Sequence, residues 1–442
     1  MSAKLNLVIR RLRMLLQSGG FARNAAMLTM GTLGAQALNF IAYPVLTRLY
    51  TPEEFGVVAV IYTLTSLLAV IASGAIENAI LIAKSKRSAA HIIGWIILRS
   101  SIVLGISLLL TGTAVLFGIG RLVGEEVAGW LPIVPVMAAA IVIFNCFSEW
   151  CIREKQFAKL ARFRIAQNFL VSGIRIVLGF VKFPLNGLIA GDVSGKLLSV
   201  LCAVNSIFSR NFSFFSTISL KRIRLEQHRY SSFSRYMMPD QLLNIIGGTL
   251  HVPFFAASFG TAELGYVSMT FSLLYLPVSI FSAAVKDVFR QRVAEQIRAK
   301  GNCRTLYLKL LIPVTLVGAL GFGLLYWFSP WLFTFLLGAN WAPVGEYIRI
   351  LTPMFFMNFV SMSLGGVLIV AQRLKISLFW QIVNLIMTFI ALSIGLFYYQ
   401  SVDAMLWGLT IAKSVSYLIY MILSFFFAGE RLMYKPLGNT RL

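Results

Sequence analysis

The sequence predicts an all-α polytopic membrane protein with about twelve transmembrane helices in two pseudo-symmetric six-helix lobes. Three observations support this prediction: the composition, a series of long apolar segments, and an imbalance of basic residues between alternate loops. Of 442 residues, 58% are hydrophobic and 12% are charged, whereas a soluble domain is roughly 45–50% apolar and about 25% charged. No soluble fold could bury this much apolar surface. Disordered chains, nucleic-acid-binding domains and secreted disulfide scaffolds are therefore excluded.

Twelve segments are apolar and long enough to cross the hydrocarbon core, which takes about 20 helical residues. They are residues 25–47, 55–83, 89–118, 129–150, 165–183, 187–208, 237–259, 264–289, 306–328, 343–371, 376–399 and 403–428. The sixth and seventh are the weakest, because Asp192, Lys196, Asp240 and His251 interrupt them.

Basic residues predict the orientation of the chain. The net charge is +23, and in a membrane protein such an excess collects in cytoplasmic loops. The loops on one side of the twelve segments hold 29 Lys and Arg residues, and those on the other side hold only Arg48, Arg121 and Lys182. We therefore expect both termini in the cytoplasm, with residues 1–24 forming an amphipathic segment on the membrane surface or a disordered basic tail. No nucleic acid partner is expected.

A short internal repeat suggests two parallel lobes. The hexapeptide at 51–56, TPEEFG, resembles GTAELG at 260–265, and each opens a predicted span. The same offset aligns Glu77 with Lys286. Parallel repeats with a substrate site between them are a known transporter plan. The predicted domains are a segment 1–24, lobes at 25–208 and 236–428, a basic cytoplasmic linker at 209–235, and a cytoplasmic tail at 429–442.

Signatures of enzymes are missing from the sequence. It contains no glycine-rich phosphate loop followed by Lys and Ser or Thr, and its three histidines have no metal-ligand spacing. No long outward loop offers a catalytic cap. We expect a transporter without a cofactor or bound metal.

Cations at membrane depth are the most informative feature. Seven basic residues fall within predicted spans: Arg99, Arg175, Lys196, Lys286, Lys309, Arg349 and Lys413. A lipid-facing Arg or Lys at a helix centre costs about 2.5–3.5 kcal/mol, so most of them must face protein or a polar cavity. Asp192 and Lys196 are four residues apart and can pair on one helical face.

Two interpretations of the remaining cations stay open. They are neutralised by acids elsewhere in the fold, or they line a cavity that receives an anionic group such as a diphosphate, which Arg binds in a bidentate manner. The acids at depth include Glu77 and Asp240, which are candidates for a titrating site that couples transport to an ion gradient.

The stretch ALNFIAYPVLTRLYTPEEFGVVAVIYTLTSLLAVIASGAIENAIL, at 37–81, resembles the N-terminal signature of bacterial O-antigen and other oligosaccharide flippases. Its LTRLYTPEEFG core, at 46–56, is the most specific part. LLGANWAPVGEYIRIL, at 336–351, is similar to a later motif of that family. These flippases are polysaccharide transporters of the multidrug/oligosaccharidyl-lipid/polysaccharide exporter superfamily.

The resemblance implies a pair of six-helix lobes working by alternating access in the bacterial inner membrane. It implies an undecaprenyl-diphosphate-linked oligosaccharide as substrate, moved to the periplasmic leaflet among membrane lipids, with the polymerase and chain-length regulator of the pathway as candidate partners. Related lipid flippases use cavity arginines on the first, second and eighth helices. Arg48 and Lys286 match the first and eighth, and the second offers the acid Glu77 instead. The predicted cavity residues are Arg48, Arg99, Arg175, Lys286, Arg349 and Lys413.

Three alternatives are weaker. A multidrug or cation antiporter of the same superfamily needs buried acids, whereas bases predominate here. A membrane-embedded polymerase or glycosyltransferase usually needs a long outward loop. A scaffold that transports nothing would have no use for cations at depth.

Overall fold

A computed structural model of the protein describes residues 21–118, 124–215, 219–300, 302–365, 367 and 374–429. These residues form helices joined by short turns and loops. The helices are α1 (Phe21–Leu49), α2 (Pro52–Ser73), α3 (Asn78–Ile82), α4 (Lys86–Leu116), α5 (Glu125–Ala128), α6 (Ile133–Arg153), α7 (Phe157–Phe180), α8 (Gly187–Phe215), α9 (Leu220–Arg229), α10 (Ser231–Thr249), α11 (His251–Lys300), α12 (Arg304–Leu337), α13 (Ala342–Ser363), α14 (Leu374–Ile394) and α15 (Val402–Gly429). A 3₁₀ turn (Ala339–Trp341) precedes α13, and a π-helical segment (Gly395–Tyr399) continues α14.

Long apolar helices make the chain a multi-pass membrane protein, as the composition predicted. Nine helical segments within the described ranges are long and apolar enough to span a bilayer. Large side chains on several of them are exposed, including Leu109 at 71%, Leu116 at 84% and Leu320 at 69%. Such faces suit contact with lipid. The total of twelve spans stays a prediction.

The sequence TPEE starts α2 for a local reason. The hydroxyl of Thr51 accepts the backbone N–H of Glu54, and the Glu54 carboxylate accepts the N–H of Thr51 at 2.9 Å. This reciprocal capping box satisfies two backbone donors that a helix start leaves open. Pro52 lies in the first turn, where its missing N–H costs nothing. At the aligned position of the repeat, Gly260 has a φ of 83° and interrupts α11.

Two predicted spans are interrupted in the structure. The second, at 55–83, divides where α2 ends at Ser73, and Gly74 takes a left-handed φ of 65° before α3 begins. The seventh, at 237–259, divides at Leu250, between α10 and α11. Pro253 has no N–H to donate to the carbonyl of Thr249, which favours a new helix start there.

The chain divides into two compact units, Met1–Ile245 and Ile246–Leu442. In the first unit, α6 packs against α2, α3, α4, α7 and α8, and α1 packs along α7. In the second unit, α13 is central and packs against α11, α12 and α15.

The segment predicted as a linker, 209–235, contains α9. Ile223, in the first turn of α9, and Tyr230, which directly follows the helix, are buried in the apolar core of the first unit together with Trp150 and Leu160. The described part of this segment is therefore anchored to the first unit. The predicted lobe and tail boundaries stay predictions, and residues 1–20 and 430–442 lie outside the described residues.

Candidate functional site

A buried charge cluster connects two helices of the first unit. Asp192 on α8 is 1% exposed, and two cations donate hydrogen bonds to its carboxylate. Nη2 of Arg175 on α7 lies 2.9 Å from Oδ1, and Nζ of Lys196 lies 2.9 Å from Oδ2. The predicted pair between Asp192 and Lys196 is confirmed. Arg175 shares the same carboxylate, so the three side chains leave a surplus of one positive charge.

Tyr62 on α2 completes this cluster. Its hydroxyl donates to Oδ2 of Asp192 and accepts hydrogen bonds from Nη2 of Arg175 at 3.0 Å and Nζ of Lys196 at 3.2 Å. Nζ of Lys196 also lies 4.3 Å from the centroid of the Tyr62 ring, which is a cation–π distance. Three helices therefore share one hydrogen-bonded network at membrane depth.

Two glycines let α7 and α8 approach closely enough to build the cluster. A Cβ atom at Gly191 would lie 2.9 Å from the backbone nitrogen of Arg175, and one at Gly195 would lie 2.8 Å from the Cα of Val171. Small residues at helix interfaces allow such contacts in membranes. Outside the helices, Tyr50 donates its hydroxyl to the Arg175 carbonyl at 2.6 Å.

Arg99 on α4 has only neutral partners among the described residues. Its Nη1 donates to the Ser234 hydroxyl at 3.0 Å, and its Nη2 donates to the Ile71 carbonyl at 3.1 Å. A Cβ atom at Gly74 would lie 2.6 Å from Nη1. The half-buried guanidinium therefore sits over the end of α2 and reaches the start of α10.

Lys413 on α15 is 8% exposed. Its side chain contacts the chain just before the break at Leu250 that separates α10 from α11. Its Nζ donates to the carbonyl of Gly247, near the end of α10, at 3.0 Å. A cation near a helix C-terminus is stabilised by the open carbonyls and the helix dipole. His251, the first residue of α11, is also buried and stacks on Phe271 with ring centroids 4.0 Å apart.

The other predicted cavity residues have separate environments. Arg48 is exposed and donates to the Pro44 carbonyl at 2.6 Å. The guanidinium of Arg349 lies 5.1 Å from the Tyr326 ring centroid. The side chain of Lys286 lies outside the described part of the structure, so its role stays a prediction.

The two predicted titrating acids differ in burial. Glu77 is 6% exposed and lies in the turn between α2 and α3, where its Oε2 has no hydrogen-bond partner among the described residues. Asp240, on α10, is exposed. Of the two, only Glu77 has the burial that a titrating site at membrane depth requires.

Of the predicted cavity residues, Arg175 belongs to the charge cluster around Asp192. The contacts of the other predicted cavity residues that the structure describes lie elsewhere, and these residues are Arg48, Arg99, Arg349 and Lys413. Sequence reasoning missed Tyr62, because a tyrosine in an apolar segment carries no distinguishing pattern. It also missed the link between Arg175 and Asp192. The acid in the next predicted span was the available signal, and it became meaningful only once α7 and α8 were packed.

Comparisons with known proteins give the family. Residues 45–346 match the family model described as "Polysaccharide biosynthesis protein". The chain is 25% identical over 418 residues to the succinoglycan biosynthesis transport protein ExoT of Rhizobium meliloti (strain 1021), covering 90% of this chain and 78% of that protein.

Solved structures show the fold. The lipid II flippase MurJ, in an inward closed conformation, has a TM-score of 0.68 at 13% identity, covering 90% of this chain and 87% of that one. An inward-facing multidrug resistance MATE family transporter of the MOP superfamily has a TM-score of 0.64 at 16% identity, with coverages of 89% and 93%. The all-helical membrane fold is that of these transporters. The chain belongs to the polysaccharide biosynthesis protein family and is a membrane transport protein rather than an enzyme.

Proposed function

We propose that the protein is a flippase that moves an undecaprenyl-diphosphate-linked oligosaccharide from the cytoplasmic to the periplasmic leaflet of the bacterial inner membrane. The two predicted lobes would alternate access to a cavity lined by cations, and both termini would lie in the cytoplasm. Membership of a polysaccharide biosynthesis family supports a saccharide substrate, and likeness to a lipid flippase supports a lipid-linked one.

The observation that carries this proposal is the lack of neutralising acids. Among the described residues, no carboxylate lies within 4 Å of Arg99, Arg349 or Lys413, whose recorded contacts are a serine, backbone carbonyls, a thioether and an aromatic ring. Positive charges without counter-ions at depth suit an anionic substrate, since cations there are expensive and usually functional.

The same observation disfavours the antiporter alternative. Export of cationic drugs calls for acids in excess of bases, and cations in the described spans are in excess instead. Glu77 remains our candidate for coupling to a proton or sodium gradient, because one oxygen of its buried carboxylate has no hydrogen-bond partner in the described part of the chain. The polymerase and chain-length regulator stay predicted partners.

The test is a flipping measurement. Purified protein is reconstituted into proteoliposomes that contain a fluorescent undecaprenyl-diphosphate oligosaccharide. An impermeant glycosidase is added outside, and the rate at which it cleaves the sugar measures movement of the lipid to the outer leaflet. We expect protein-dependent movement that is absent with a lipid lacking the diphosphate. Equal rates with and without the protein, together with export of a cationic dye, would favour the antiporter instead.

A further inference from the structure

A second polar site lies where α9 packs beside the start of α4. A cavity of about 670 Å³ opens between these two helices of the first unit. It belongs to the basic face predicted to be cytoplasmic. None of its residues was predicted to contact the transported substrate.

The charge of this cavity is strongly positive. Its lining includes four cations, Lys84, Arg87, Arg222 and Arg229, and one acid, Glu226. Glu226 is already engaged, since Nη1 of Arg229 lies 3.3 Å from both of its carboxylate oxygens. In the described part of the chain, no carboxylate lies within ion-pair distance of the other three cations.

Two buried side chains at the cavity each carry a polar atom that has no partner among the residues the structure describes. Ser88 and His91, in the first two turns of α4, line the cavity and are 6% and 2% exposed. Nδ1 of His91 lies 2.5 Å from the Arg87 carbonyl and is therefore assigned as the donor. Its Nε2 and the Oγ of Ser88 have no partner among the described residues. Buried polar groups normally find one, so these atoms indicate an occupant that forms hydrogen bonds.

The helix start adds to the attraction for an anion. The Ser85 side chain caps α4 by accepting the Ser88 N–H at 3.1 Å, and α4 then runs for 31 residues. Its N-terminus carries the positive end of the helix dipole and open N–H groups, which favour phosphate. Ile223 and Tyr230 hold α9 in the core, so the basic wall opposite α4 is fixed in place.

We propose that this cavity binds a phosphate-bearing anion, held by Arg87 and Arg222 and by the polar atoms of Ser88 and His91. Guanidinium groups match phosphate oxygens in a bidentate geometry. The phosphate belongs either to the headgroup of an anionic lipid in the adjacent leaflet or to a soluble phosphorylated compound. None of the six residues predicted for the flipping cavity lines this site, and the proposal does not depend on the proposed flipping function.

The test uses inorganic pyrophosphate and the full chain in nanodiscs of phosphatidylcholine. Binding is measured with radiolabelled pyrophosphate and by the rise in Tm that a ligand of the folded state produces. We expect saturable binding, and an affinity at least about tenfold weaker in the double variant Arg87→Gln/Arg222→Gln, since it loses two charge-assisted contacts.

A matched control removes the same charge from the same two helices. Lys86 is paired with Glu154 at 2.5 Å, and Arg224 is exposed; neither lines the cavity. Lys86→Gln/Arg224→Gln should keep the affinity within about twofold of wild type. Because Arg222 is exposed, the single variant Arg222→Glu should fold normally and still weaken binding. Equal losses in the control and the double variant would overturn the proposal.

A lipid arm distinguishes the two phosphate sources. The protein is purified from membranes containing phosphatidylglycerol, and retained lipid is counted by native mass spectrometry. If the wild type and the control retain phosphatidylglycerol and Arg87→Gln/Arg222→Gln does not, the phosphate is that of a lipid headgroup. Pyrophosphate binding without such retention identifies a soluble phosphate. The proposal fails if neither ligand binds in a way that depends on Arg87 and Arg222, whether or not flipping is observed.

Discussion

Nη2 of Arg175 and Oδ1 of Asp192 lie 2.9 Å apart, joining α7 to α8 inside the membrane domain of the first unit. The same carboxylate holds Lys196, so one acid serves two cations. Removing one partner of a buried ion pair usually destabilises strongly, because it leaves an uncompensated charge. This arrangement makes Asp192 the residue on which the cluster depends.

We expect Asp192→Asn to destabilise the protein by about 3–5 kcal/mol, because two half-buried cations lose the carboxylate that they share. Lys196→Met should be milder, since it leaves Arg175 and Asp192 as a neutral pair. Thermal unfolding of the detergent-purified variants measures both. If Asp192→Asn melts at the wild-type temperature, the cluster does not hold α7 and α8 together.

Gly191→Ala tests the close approach of α7 and α8. The new Cβ would lie 2.9 Å from the Arg175 backbone nitrogen, so the helices must separate, at a cost of about 1–3 kcal/mol. Gly105→Ala on α4 is the control, because its Cβ would meet open space. Similar unfolding temperatures for the two variants would show that the contact is not tight.

Arg99→Ala and Lys286→Ala should abolish surface polysaccharide while protein levels stay unchanged, because each removes a predicted cavity cation. Lys182→Ala is the control, since Lys182 is exposed and lies in a loop. Polymer is measured on the cell surface of a deletion strain complemented with each variant, alongside lipid-linked repeat units in the inner leaflet. Normal polymer from both single variants and the double variant would remove these residues from the mechanism.

Lys413→Met separates a structural role from a transport role. It leaves the Gly247 carbonyl at the helix interruption without its donor, which we expect to cost about 1–3 kcal/mol. A variant that still folds at low temperature is then tested for flipping. Loss of flipping in folded protein supports a substrate contact, whereas full flipping with a lowered Tm indicates a structural role alone.

Glu77→Gln tests ion coupling with a neutral side chain of nearly the same shape. Because the carboxylate is buried and one of its oxygens has no partner within the described ranges, its neutralisation should not destabilise the fold. We expect transport by this variant to become independent of an imposed proton or sodium gradient. Asp240→Asn, at an exposed position on α10, is the comparison. A gradient response equal to wild type in Glu77→Gln would contradict the assignment.

Local sequence patterns predicted much of the fold. The pairing of Asp192 with Lys196 was predictable because residues four apart on one helix always share a face. The start of α2 was marked by TPEE, whose capping needs only neighbouring residues. The interruption of α2 at Gly74 was not predicted, because the apolar run at 55–83 continues through it.

The sequence by itself determined that the chain is a helical membrane protein, since so apolar a composition leaves lipid as the only compatible solvent. Only the tertiary structure decided which charges meet. Tyr62 and Asp192 are 130 positions apart, and Gly247 and Lys413 are 166 apart. Their contacts depend on the rotation of each helix about its axis and on how closely small residues such as Gly191 let two helices pack. Helix rotation and helix spacing are set by all the helix contacts together, and no local spacing in the sequence encodes them.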